Sequence, residues 1–119
     1  MTEKLTEKRT HEMRLNSAPF TAIAEGRKRI EMRLFDEKRS AIQTGDFILF
    51  TDVGTGARMR CKVIALHVYP NFEKLYEKHD KTELGYAADE CAKPQDMLAY
   101  YSREEIERYG VVGIELALI

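Results

Sequence analysis

Between Gly26 and Arg33 the chain sets four cations, Arg27, Lys28, Arg29 and Arg33, around one carboxylate, Glu31. This is the local set best equipped to hold a phosphate, accept a hydrogen bond from a base or move a proton. An extended chain sends successive side chains to opposite sides. Ile30, Met32 and Leu34 therefore share one face, expected to pack, while Arg29, Glu31 and Arg33 share the other, expected to display charge. In a binding reading, Lys28, Arg29 and Arg33 contact phosphates and Glu31 accepts from a base amino group. The like charges around Lys28 favour its neutral, nucleophilic form, whereas Glu31 opposes them.

A second cationic row, Arg58, Arg60 and Lys62, alternates along a strand-like run. It either extends a basic binding surface or forms a solvated hairpin face. Tyr69, Tyr76, Tyr86, Tyr100 and Tyr101 are the rings available to stack a base, with ordinary packing as the alternative for each. A ribonuclease would need an acid and a base, and His11, His67 and His79 are the imidazoles present. His67 shares strand parity with Met59, Cys61, Val63 and Ala65, which suits a hydrogen-bonded histidine in the core or at its rim. Cys61 and Cys91 lie thirty positions apart with no CxxC or Cys/His spacing, so neither a metal site, a cofactor nor a disulfide is expected.

The totals narrow the partners. A chain of 119 residues with 44% hydrophobic and 33% charged residues is sized and composed for one globular core. Its formal net charge of -1 means that affinity for a polyanion must come from a local cluster, because the whole molecule supplies none. No stretch reaches the roughly 20 apolar residues that span a bilayer, and the start lacks a signal-peptide pattern. A cytoplasmic protein with no membrane partner is expected, residues 1-9 forming a flexible leader and 10-119 a single domain.

The elements that must position these groups follow from pattern. His11, Met13 and Leu15 alternate with Glu12 and Arg14 as in a half-buried strand. Asn16 or Ser17 can cap a short helix with Pro19 in its first turn, an apolar stripe of Phe20, Ile23 and Ala24, and Gly26 at its end. After the charged strand, Asp36 to Ile42 reads as a solvated, ion-rich turn. Thr44-Gly45-Asp46 turns into Phe47-Ile48-Leu49-Phe50, an apolar run suited to a strand buried on both faces. From Ala57 to Tyr69 one parity changes from Arg58, Arg60 and Lys62 to Ile64, Leu66 and Val68, which predicts a bend or bulge. Phe72, Leu75, Tyr76 and His79 have helical spacing, residues 80-100 read as irregular helical turns, and Ser102 to Glu105 is a capping box for a helix stopped at Gly110. The last strand, from Val111, is apolar enough to lie mid-sheet, with Gly113 allowing a close approach. The sum is an α+β domain with a curled, mainly antiparallel sheet.

Gly26-x-Lys28-x-x-Glu31-x-Arg33, followed by Thr44-Gly45-Asp46 before an apolar strand and by Tyr109-Gly110-Val111-Val112-Gly113-Ile114 at the end, resembles the ASCH domain of the PUA-like superfamily over residues 11-119. The resemblance implies a PUA-like β-barrel of five to six strands with short inserted helices. It also implies a cleft, lined by the motif, that binds RNA, a nucleoside or a nucleotide. Some small bacterial relatives are amidohydrolases that deacetylate N4-acetylcytidine with a Lys, a Thr or Ser three positions later, and a downstream Glu. Lys28 stands at the lysine position and Glu83 at a counterpart of the downstream carboxylate, but the hydroxyl position holds Glu31. In that hydrolytic reading Lys28 acts on the water or carbonyl, Glu83 shuttles a proton, and Arg33 or backbone donors hold the oxyanion. A structural ion pair of Lys28 with Glu31 or Glu83 at the mouth of the barrel is the alternative.

Overall fold

The computed structural model describes residues 8-119, so most of the expected leader lies outside it. Five strands, β1 (Thr10–Leu15), β2 (Ile30–Leu34), β3 (Phe47–Asp52), β4 (Arg58–Tyr69) and β5 (Val111–Leu118), form one sheet in the order β1-β3-β4-β5-β2. β1 runs parallel to β3 and every other pairing is antiparallel. The sheet curls into a half-barrel whose free edges are β1 and β2. Four short α-helices and one 3-10 turn complete it: α1 (Ser17–Ala24), α2 (Glu37–Ser40), α3 (Phe72–Lys78), α4 (Arg103–Tyr109) and the turn Pro94–Ala99. The expected α+β fold with a curled, mainly antiparallel sheet is the one found. No helix among the described residues is long and apolar enough to cross a membrane.

Strand alternation divides the apolar side chains between the two faces. Met13, Leu15, Ile48, Phe50, Cys61, Val63, Val112, Ile114 and Leu116 turn inward and pack with Ile23 of α1. Ile30, Met32, Leu34 and Val111 turn outward against Phe72 and Leu75 of α3 and Met97 of the 3-10 turn. Each side chain removed fully from water contributes about 1.5-3 kcal/mol, and Phe50, Ile48 and Phe72 are at or near zero exposure. β5 feeds both clusters and lies mid-sheet, as its composition predicts. A Cβ on Gly113 would stand 3.1 Å from Ile30 Cγ2, which accounts for glycine at that position.

Three local expectations change. β3 is not buried on both faces: Ile48 and Phe50 are buried, but Phe47 and Leu49 are only partly buried, no helix among the described residues being seated on the outer face there. In α1 the buried pair is Ala22 and Ile23, while Ala24 faces solvent. Asp36 and Arg39 are not simply solvated; Asp36 caps α2 by accepting from Arg39 N at 3.1 Å and pairs with the Arg39 guanidinium at 2.8 Å.

The predicted irregularity in β4 is present as a register shift between Val63 and Ala65. One extra residue reverses the parity of everything beyond it. Cys61 and Val63 face inward before the shift and Leu66 faces inward after it, so His67 emerges on the outer rim, where its Nε2 lies 2.9 Å from Glu115 Oε1. The Thr44-Gly45-Asp46 turn is structural. Asp46 is buried and accepts from Arg9 N and Gln43 N, and lies 2.8 Å from His11 Nε2, which ties the start of β1 to the turn before β3.

Candidate functional site

The charged segment does not display its carboxylate. β2 is an edge strand with both faces covered, and Lys28 and Glu31 are each only 6% exposed. Arg33 Nε donates to Glu31 Oε2 at 2.6 Å, and Lys28 Nζ stands 3.4 Å from Glu31 Oε1. Lys28 Nζ also donates to the carbonyl of Leu84 at 2.9 Å. Arg33 Nη2 donates to the carbonyl of Arg14 at 3.0 Å, so a side chain spans the gap between β1 and β2 where a closed barrel would have a ladder. The triad carries two cations and one anion, and is therefore an electropositive seat fixed from three directions.

The same gap opens into a cleft of about 940 Å³, within the range of roughly 300-1,000 Å³ usual for small-molecule sites. Lys28, Glu31 and Arg33 line it together with Arg14 at the end of β1, residues 16-19 at the start of α1, and Arg27. The opposite wall is Leu84, Gly85 and Tyr86, with Asp96, Tyr100 and Tyr101 around the 3-10 turn. Gly85 has φ +108°, and a Cβ there would stand 3.0 Å from Lys28 Cδ, so glycine leaves the passage for the lysine stem. The first turn of α1 contains no acidic residue, and its start is tied to β3 by Ser17 Oγ donating to Asp52 Oδ1 at 2.6 Å.

The ASCH domain model matches residues 13–119. The chain belongs to the ASCH domain family. The crystal structure of hypothetical protein PH0355 is 32% identical, with 92% of this chain and 99% of that one covered and a TM-score of 0.78. The solution structure of protein PF0455 from Pyrococcus furiosus is also 32% identical, covers 92% of this chain and 97% of its own, and has a TM-score of 0.67. No curated protein matches the chain.

In this ASCH domain the titratable groups divide by environment. Burial pushes the Glu31 carboxyl up, but the Lys28 ammonium and the Arg33 guanidinium outweigh it and hold the acid below the usual carboxylate range. Glu31 is thus an ionised acceptor already engaged by two cations. Burial raises the Tyr101 hydroxyl, so that ring stays neutral beside the triad. Tyr86, raised by burial and by its bonds to Tyr76 and Asp96, donates to Asp96 Oδ2 at 2.8 Å. Burial pushes the Cys61 thiol up to about 11, which leaves it unreactive at neutral pH.

The structure therefore brings Lys28, Glu31 and Arg33 into one cleft and sets other sequence candidates apart. Arg29 precedes β2 with its side chain exposed, and its backbone donates to Glu83 O and accepts from Leu116 N. Glu83 supplies that carbonyl to the amides of Arg29 and Ile30, but its side chain is absent from the cleft wall and its charge acts on His79. Arg58, Arg60 and Lys62 lie on the outer sheet face, because they share the parity opposite to buried Cys61 and Val63. His11 and His67 pair with Asp46 and Glu115, His79 Nε2 lies 2.8 Å from Tyr69 OH, and none of the three lines the cleft. Among the described residues no group of three or more His, Cys, Asp and Glu is placed to hold a metal ion.

Sequence reasoning missed Arg14, the Leu84 carbonyl and Asp96. Arg14 was legible only as the outward residue of an alternating strand. Nothing local marks Leu84, since its role comes from a backbone oxygen fifty-six positions from Lys28.

Proposed function

We propose that this ASCH domain binds a nucleotide, free or within RNA, in the cleft between the edges of β1 and β2. The observation that carries the reading is one cleft with two complementary ends: a buried, net-positive floor of Lys28, Glu31 and Arg33, and a lip bearing the Tyr100 ring, which is 66% exposed. A large aromatic left in water beside fixed cations suits a ligand with a flat base and an anionic or carbonyl-rich part. Arg14 and Arg27 at the mouth supply further donors for phosphate oxygens, and Asp96 supplies an acceptor for a base amino group.

Deacylation of an N4-acetylated cytidine is a weaker reading of the same cleft. Position 31 carries an ionised carboxylate bound to both cations instead of a hydroxyl, and Lys28 Nζ is held by Leu84 and Glu31. Besides Glu31, the carboxylates on the cleft wall are those of Glu90 and Asp96, and Glu83 does not line it.

Calorimetric titration with the four nucleoside 5'-monophosphates tests the binding reading. Tyr100→Ala is expected to weaken the preferred nucleotide by about 1-3 kcal/mol, the usual worth of one base-aromatic stack, while leaving thermal stability nearly unchanged. Equal affinity in wild type and variant would remove Tyr100 from the site. Incubation with N4-acetylcytidine is expected to release no cytidine; release that disappears in Lys28→Ala would replace the binding reading with the hydrolytic one.

A further inference from the structure

Among the described residues, no helix is seated on the outer face of β1, β3 and the first half of β4, where Thr10, Glu12, Arg14, Arg58, Arg60 and Lys62 are exposed. Registers across the three strands place Arg14, Thr51 and Arg58 in one row, Glu12, Leu49 and Arg60 in the next, and Thr10, Phe47 and Lys62 in a third. All four cations are exposed, and Glu12 is the only carboxylate among these nine residues, 4.0 Å from Arg58. The face thus concentrates positive charge on a chain whose total is -1. Phe47 and Leu49 lie half-exposed between the cations, and the Arg60 guanidinium sits 4.0 Å above the Phe47 ring.

We propose that this face is a second binding surface that carries single-stranded RNA onward from the cleft, so that the partner is a polymer rather than a free nucleotide. The direction of the strand rests on the cleft reading; the affinity of the surface does not. Arg58, Arg60 and Lys62 recur every second residue, about 6.8 Å apart on an antiparallel strand, a repeat that matches neighbouring phosphates along an extended nucleic acid. An acidic peptide would satisfy the charges but would make no use of a guanidinium held over a ring, which is a platform on which bases stack. Arg14 belongs both to this face and to the cleft wall, so the two surfaces are continuous at the cleft mouth.

The test compares wild type with the triple variant Arg58→Gln, Arg60→Gln, Lys62→Gln. Fluorescein-labelled oligouridylate and oligoadenylate serve as polymer probes and the nucleoside 5'-monophosphates as cleft probes. All three substituted side chains are exposed, and a thermal melt checks that the variant folds. The variant is expected to lose about tenfold or more in oligonucleotide affinity. Its plot of log affinity against log salt should be shallower by about two, since each single-strand phosphate contact contributes roughly 0.7. Mononucleotide affinity should not move. An unchanged oligonucleotide affinity and salt slope would overturn the surface while leaving the cleft reading intact. So would no oligonucleotide binding by wild type, or displacement of the RNA by polyglutamate at equal charge. Loss of oligonucleotide affinity in the variant when wild type binds no mononucleotide would support the surface and refute the cleft.

Discussion

At position 31 a carboxylate stands between buried Lys28 and largely buried Arg33, and removing its charge leaves both cations with backbone carbonyl acceptors but no counter-charge. Breaking a buried pair on one side costs about 3-5 kcal/mol, so Glu31→Gln is expected to lose stability of that order in urea melts at pH 7. The same carboxyl is held below its ordinary range in the folded protein. Its contribution is therefore complete above the unfolded value, about 4.3, and is lost as pH falls through the lower folded value. Asp46 and Asp52 are lowered as well, by bonds from His11 and Ser17 among others, and act in the same direction. They are common to both proteins, so the gap in stability between wild type and Glu31→Gln should narrow below about pH 4; a gap independent of pH would contradict the ionised triad. The concentration of charge at residues 26-33 was legible in the sequence, but its burial was not. Alternation shows which residues share a face, and only the curl of the sheet shows that Glu31 and Arg33 turn inward.

Among the elements, β5 and β2 meet where Gly113 admits Ile30. A methyl at Gly113 overpacks this contact, and Gly113→Ala is expected to cost about 1-3 kcal/mol. Ile30→Ala, which removes Cγ2, should therefore cost less in the Gly113→Ala chain than in wild type, and strictly additive effects in the double-mutant cycle would contradict the packing argument. At the end of α3, His79 is kept below its ordinary pKa by burial and by the neighbouring His67. A base with a depressed folded pKa loses stability as pH falls below its unfolded value, about 6.5. His79→Gln should flatten the stability profile just below that pH, measured by thermal melts. Elements whose signals are local were readable: the capping box at Ser102, the alternation of β1 and the parity change that becomes the β4 bulge. Residues 80-100 were readable as irregular helical turns, which the turns at 81-85 and the 3-10 turn bear out, but not in their placement, which comes from distant partners such as Arg29 and Ile30 donating to Glu83 O and Lys28 donating to Leu84 O.

For the whole molecule, a total charge near zero conceals a separation that the fold creates. Cations collect at the cleft floor, at its mouth and on the uncovered sheet face, while Asp46, Asp52 and Glu31 are consumed by internal bonds. Arg33 thus serves the fold and the cleft together: it closes the gap between sheet edges and helps to floor the cleft. A nucleotide is the proposed occupant of that cleft. Titration of isotope-labelled protein with nucleoside 5'-monophosphates, followed by amide chemical shifts, tests it most directly. Saturable shifts are expected at Arg14 to Ala22, Arg27 to Arg33 and Leu84 to Tyr86. No shifts, or shifts confined to the His67 and His79 side of the sheet, would contradict it.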